Sequence, residues 1–238
     1  MFDTVMFDLD GTLLPLDEDK FIKIYFEGLG RRALQLGFNQ QPFFDALKEG
    51  IRAMVKNDGT MTNDDRFFET FSKLMKCKRF EVEPVFLDYY QNEFSSVRAS
   101  SWDNPLAKPL IRYLNEQGIK VILATNPLFP RIATKERMRW INLETAEFCD
   151  VTTYDNSSFS KPNLDYYRSL IVKHNLEAKR TIMIGNDVFE DMIASRLGLK
   201  TFLVTDCLKN QYGESIDQYS HGSFQELDRF LRSIVSGS

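Results

Sequence analysis

Apolar positions recur along the chain with two distinct periods. Between residues 17 and 96 they fall three and four apart, as in KFIKIYFEGLGRRALQLG, PFFDALKEGIRAMVKNDG, NDDRFFETFSKLMK and PVFLDYYQNEFSSV. That spacing lines one face of an α-helix. Gly37, Asn57-Asp58-Gly59 and Glu83-Pro84 read as breaks or starts between these helices. Elsewhere short apolar runs alternate with helical patterns. Strands are expected at 4–7, 119–125, 181–185 and 200–204, with a weaker one near 148–153. Helices are expected at 105–117 (capped by Asp103 or Asn104), 131–142, 162–175 with Pro162 in its first turn, 187–197 closed by Gly198, and 223–235. Strands alternating with helices predict a parallel sheet covered on both faces. The expected fold is therefore α/β, a Rossmann-like three-layer core, with an all-helical domain inserted after the first strand. Residues 1–15 and 97–238 form the core and 16–96 the insert, joined through Leu14-Pro15-Leu16 and RASSWDNP (98–105).

Composition narrows the classes. With 238 residues, 43% of them hydrophobic, the chain is long enough for a sizeable core. Many of its 20 phenylalanines lie in the helical block, where apolar stripes pack as a bundle core rather than as a cofactor box. A net charge of -4 gives no general attraction for nucleic acid or anionic membrane. No stretch is apolar enough to span a bilayer, and Asp3, Asp8 and Asp10 interrupt any signal-like start. Three scattered cysteines fit a reducing cytoplasm, and two histidines leave no multi-histidine metal site. Oligomeric state is not legible.

Chemistry gathers after the predicted strands, where open α/β sheets bind ligands. Asp8-Leu9-Asp10-Gly11-Thr12 follows the first strand, Thr125-Asn126 the second, and Ser160-Lys161-Pro162-Asn163 the weak third. Gly185-Asn186-Asp187-Val188-Phe189-Glu190-Asp191 follows the fourth. Taken singly, each reads as turn chemistry, and Lys161 as a solvated lysine ahead of a helix. Asp187 and Asp191 are expected four apart on one helical face, where like charges repel. Together, Asp8, Asp10, Asp187 and Asp191 would converge on a hard cation. All-oxygen ligation points to magnesium, with Thr125, Asn126 and Lys161 binding a phosphate.

These stretches, DLDGT, LATN, SKPN and GNDVFED in order, resemble the four motifs of the haloacid dehalogenase (HAD) superfamily. The chain is most similar to its phosphatase branch with an inserted helical cap, as in phosphoglycolate phosphatase and β-phosphoglucomutase-like proteins. Positions 126 and 161 lie only 35 apart, which leaves no room for the family's alternative, later cap. GND stands where GD is commoner, and KPNLD lacks the usual second proline. The resemblance implies Asp8 as nucleophile, Asp10 as general acid and base, and Thr125 and Lys161 as phosphate binders. It also implies magnesium held by Asp8, the Asp10 carbonyl and Asp187, with Asp191 close by. Asp10 argues against the dehalogenase and phosphonate-cleaving members, which lack it. The function implied is a magnesium-dependent phosphatase acting on a small phosphorylated metabolite. The alternatives are a β-phosphoglucomutase-like phosphotransferase and a non-catalytic phospho-ligand binder. Asp17, Lys20, Lys23 and Arg31-Arg32 in the cap are the charges available for specificity.

Overall fold

The computed structural model describes residues 2–236. Six parallel strands form one sheet: β1 (Thr4–Phe7), β2 (Lys120–Leu123), β3 (Asp150–Val151), β4 (Thr181–Gly185), β5 (Lys200–Val204) and β6 (Ser220–Gly222), in the order β3-β2-β1-β4-β5-β6. Alternation along β1 sends Val5 and Phe7 to one face and Met6 to the other. The first face packs on α5 (Ala107–Glu116), α6 (Arg131–Trp140) and α8 (Phe224–Ser236). The second packs on α7 (Leu164–His174) through Tyr166, Tyr167 and Leu170. From β1 the chain builds outward to β2 and β3, then returns to the other side of β1 to lay down β4, β5 and β6. The order thus reverses between β1 and β4, and that reversal opens a crevice beyond their carboxyl ends.

Between β1 and α5 lie α1 (Glu18–Gln35), α2 (Gln40–Val55), α3 (Asn63–Met75) and α4 (Arg79–Asn92), followed by a 3-10 helix at Phe94–Ser100. Their buried faces follow the expected spacing: Phe43, Ala46, Leu47, Gly50 and Met54 on α2. The two joins run side by side, with Leu16 bridged to Ser101 and the Asp17 N–H donating to the Ser100 carbonyl. The insert is also tethered elsewhere. Asn63, fully buried at the start of α3, donates from its amide to the Pro127 carbonyl (3.1 Å), the Phe159 carbonyl (3.3 Å) and the Ser160 hydroxyl (3.1 Å). Its own oxygen accepts from Asn57 (2.9 Å). The Asn63 and Asp64 N–H groups donate to the Ser157 and Tyr154 carbonyls. One continuous apolar cluster runs from the sheet into the insert, where Phe21 and Tyr25 meet Phe129 edge-on.

Four expectations are corrected. Pro84 does not mark a boundary, because it sits inside α4, which starts at Arg79 with Glu81 capping the Lys78 N–H. Pro162 is outside α7, which begins at Leu164 under the Asn163 side chain. Residues 187–191 form turns rather than a helix, and a 3-10 helix follows at Met192–Leu197. Asp187 Oδ1 does accept from the Phe189 and Glu190 N–H groups, as at a helix start, and the Asp191 N–H bonds to the Asp187 carbonyl (3.0 Å), but that one turn then tightens into the 3-10 helix. Finally β6, a short polar strand, was not expected, because it lacks an apolar run.

Candidate active site

β1 ends at Phe7, and the chain coils back on itself at once. The Thr12 and Leu14 N–H groups both donate to the Leu9 carbonyl, and Leu9, Leu13 and Leu14 anchor the coil in the core. Gly11 takes a φ of +82°, and a Cβ there would meet the Asn186 amide at 2.2 Å, so this turn requires glycine. Asn186 locks the turn to its neighbours. It accepts from the Thr12 hydroxyl (3.0 Å) and donates to the Cys207 carbonyl (2.7 Å). The coil leaves Asp8 and Asp10 on the wall of one cavity of about 910 Å³, together with Thr125, Asn126, Asp187 and Glu190.

Lys161 is not a solvated lysine. Its side chain is fully buried, and its Nζ donates to Asp8 Oδ1 (2.8 Å) and Asp191 Oδ1 (2.6 Å). Burial alone would lower its pKa, but the two carboxylates outweigh that and raise it, so it carries a proton. Asp191, buried beneath, has its pKa pushed up to about 7 by desolvation against the pull of Lys161. Its other oxygen accepts from the Asp187 N–H (3.0 Å). A Cβ on Gly185 would fall 2.0 Å from that oxygen, so the close approach depends on glycine there. Asn126 does not face the cavity as a free donor. It accepts from the Lys161 N–H (3.2 Å) and donates to Glu190 (2.9 Å), so it fastens the lysine loop to the acidic turn. Thr125 is buried on the cavity wall, and its carbonyl is taken by Thr152 and Tyr166. Burial lifts Glu190 to about 7.

Asp10 has a partner that motif reading missed. Arg137 on α6 is buried and its guanidinium forms an ion pair with Asp10 Oδ2. The rest of Arg137 is held by the Ala133 carbonyl, the Thr134 hydroxyl and the face of Phe129 (4.5 Å). Among the described residues Asp10 Oδ1 has no hydrogen-bond partner. The carboxyl sits in a concavity that leaves about a third of its side chain open, with Oδ1 itself out of contact with solvent. Desolvation therefore prevails over Arg137 and raises its pKa to about 6. The sequence carried a partial signal for a buried Arg137, though none for its partner. Arg137 lies four residues from both Ala133 and Ile141, on an apolar helical face where a lone cation needs a buried partner. Lys209, also missed, reaches Glu18 (2.8 Å) and, more loosely, Asp187 Oδ2 (3.7 Å).

Of the four carboxylates expected around one cation, two are engaged by other partners in this structure. Among the described residues no three acidic, histidine or cysteine side chains stand together as a metal cage. Arg137 engages Asp10, and Lys161 with the Asp187 N–H engages Asp191. What remains is a hard-oxygen set, Asp8 and Asp187 with nearby backbone carbonyls. It fits magnesium, which takes one or two carboxylates and keeps several waters.

A family model for haloacid dehalogenase-like hydrolases matches residues 2–198. The chain belongs to that family. Over 241 residues it is 23% identical to a glyceraldehyde 3-phosphate phosphatase of Methanocaldococcus jannaschii, covering 98% of this chain and 99% of the relative. Two solved family structures share the fold. CbbY from Rhodobacter sphaeroides in complex with phosphate has a TM-score of 0.59 and 16% identity, with coverage of 95% of this chain and 96% of that one. The HAD-hydrolase YfnB from Bacillus subtilis, bound to magnesium and described as showing interdomain movement, has a TM-score of 0.58 and 21% identity, with coverage of 97% and 98%. Among the described residues no helix is long and apolar enough to cross a membrane.

Proposed function

We propose that the protein is a magnesium-dependent phosphatase that hydrolyses a small phosphorylated metabolite through an aspartyl phosphate on Asp8. One observation carries this reading: Asp8 and Asp10 open onto one cavity, the first bonded to a buried protonated lysine and the second to a buried arginine. The Asp8 carboxylate attacks phosphorus, and the bond to the leaving oxygen breaks as Asp10 gives that oxygen its proton. Asp10 then takes a proton from water, which attacks the aspartyl phosphate and releases inorganic phosphate, restoring Asp8. Lys161 and the Thr125 hydroxyl bind the phosphoryl oxygens. Asp8, Asp187 and the Asp10 carbonyl would hold magnesium, which would supply the charge neutralisation that lets an anion approach a phosphate dianion. Asp191 and Asn126 position Lys161. Residues 16–96 serve as the cap domain that excludes water, over a core of residues 1–15 and 97–238.

The glyceraldehyde 3-phosphate phosphatase activity of the archaeal relative supports phosphomonoester hydrolysis, and the magnesium in YfnB supports the metal. The test is p-nitrophenyl phosphate turnover with magnesium, which EDTA abolishes and calcium restores poorly. Rapid-quench mass spectrometry of Asp10→Asn should find a phosphate adduct on Asp8, and Asp8→Asn should carry none. Full activity in EDTA, or an adduct on another residue, overturns the assignment.

A further inference from the structure

The floor of the cavity is acidic and polar, but its walls are not. Above Asp8 and Asp10 the space is bounded by Phe21, Phe26, Ile51, Phe67, Phe68 and Phe86 from the helical insert. Of the three tyrosines on the cavity wall, Tyr25 and Tyr90 bond each other through their hydroxyls at 2.8 Å, which leaves Tyr154 as the remaining phenol. Among the described residues Lys209 is the only cation on the cavity wall, and Glu18 holds it at 2.8 Å. Arg137 does not reach the wall, because it is buried behind Phe129 and paired with Asp10. Lys20, Lys23 and Arg31, which the sequence offered for specificity, are exposed and do not line the cavity. Asp17, Glu18 and Asp206 add negative charge at its edge.

A substrate carrying a carboxylate or second phosphate would bury that anion against aromatic rings beside carboxylates, with no free cation to receive it. That is a desolvation cost without compensation. A polyhydroxylated leaving group would likewise lose water against the rings, with partners confined to the Tyr154 hydroxyl and the carboxylates at the edge. The volume, about 910 Å³, is in the range that encloses ligands of drug size, and a three-carbon ester would leave most of it filled with water. We propose that the substrate is a phosphomonoester of an uncharged, largely apolar alcohol, whose hydrocarbon part fills the aromatic chamber while the phosphate sits on Asp8. This rests on the phosphatase reading and names its substrate class.

A homologous series tests it, because n-butyl, n-hexyl and n-octyl phosphate have leaving groups of nearly equal reactivity and differ only in apolar surface. Each buried methylene is worth about fourfold in affinity, so kcat/KM should rise on the order of 10²-fold from butyl to octyl. Glycerol 3-phosphate and phosphocholine should fall below butyl phosphate. A flat or falling series, or either polar ester as the best substrate, overturns the proposal while leaving the phosphatase standing. Calorimetric titration of butyl- and octylphosphonate with magnesium reads the same preference without turnover. If no ester is hydrolysed but octylphosphonate binds at least tenfold tighter, the phosphatase reading fails and the chamber assignment holds. Equal binding overturns the chamber assignment. Ile51→Trp should collapse the octyl-to-butyl ratio to within threefold, and Ile22→Asp, at a half-exposed cavity position, serves if the first does not fold. A ratio is insensitive to the folded fraction, so an unchanged ratio in the folded variant counts against the proposal.

Discussion

In the sheet-bearing part of the molecule, Lys161, Arg137 and Asp191 are almost wholly buried and each is pinned to a named partner of opposite charge. In the helical insert the buried side chains are mostly apolar, and rings predominate among the large ones. Phe43 stacks on Phe86 and meets Phe71 edge-on, and Phe67 repeats the arrangement. The two regions meet at one cavity, so a charged floor faces an apolar ceiling. Buried charge costs stability and is kept where it has work at a reacting centre, whereas buried rings stabilise and shape. Substitutions in the two regions should therefore fail differently.

Lys161→Ala should give the largest effect. Losing the cation leaves Asp8 and Asp191 uncompensated. Turnover of p-nitrophenyl phosphate should drop by 10³ or more, and stability by about 3 kcal/mol, with part of the cost relieved as Asp191 takes a proton. Denaturant melts and steady-state rates measure both, and a stable, active variant would break the contrast. Phe43→Ala should do the opposite. It lies outside the cavity, so it should lose about 3–5 kcal/mol of stability while the rate per folded molecule stays within threefold of wild type.

Arg137→Met sharpens the charged side of the comparison. Burial raises Asp10 and Arg137 opposes that rise, so removing the arginine should push the Asp10 pKa further above about 6. In the proposed mechanism Asp10 must be protonated to act as the acid, so wild-type turnover of alkyl phosphates should fall as pH rises through about 6. In Arg137→Met that limb should move to higher pH, with kcat reduced about 10- to 100-fold. A lower rate with an unmoved pH profile would make Arg137 merely structural. The smallest effect is expected for Tyr90→Phe, which removes the hydroxyl pair with Tyr25 and should cost about 1 kcal/mol, read from the denaturation midpoint.

The same contrast explains what the sequence disclosed. The site loops were legible because each follows an apolar strand and carries a compact run of polar residues, and the helices of the insert because period 3.6 is written locally. Arg137 was not, because its partner Asp10 lies 127 positions away. The turns at 187–191 were misread as helix because Asp187 caps the Phe189 and Glu190 N–H groups as a helix start would, and spacing does not record that the chain then tightens to a 3-10 helix. The aromatic chamber was invisible for a related reason. Which rings face the cavity and which face one another is settled only when four helices pack together.

Asn63 has a consequence for how the insert can part from the core. Its amide and the N–H groups of Asn63 and Asp64 cross the boundary together, and the side chain has no exposed surface. Water cannot replace these bonds one at a time, so separation is an all-or-none event rather than gradual breathing. The amide protons of Asn63 and Asp64 would then share one opening free energy, lower than that of β1. At alkaline pH, where intrinsic exchange outruns reclosing, they would exchange at one shared rate, and that rate would give the opening frequency of the chamber with no substrate present.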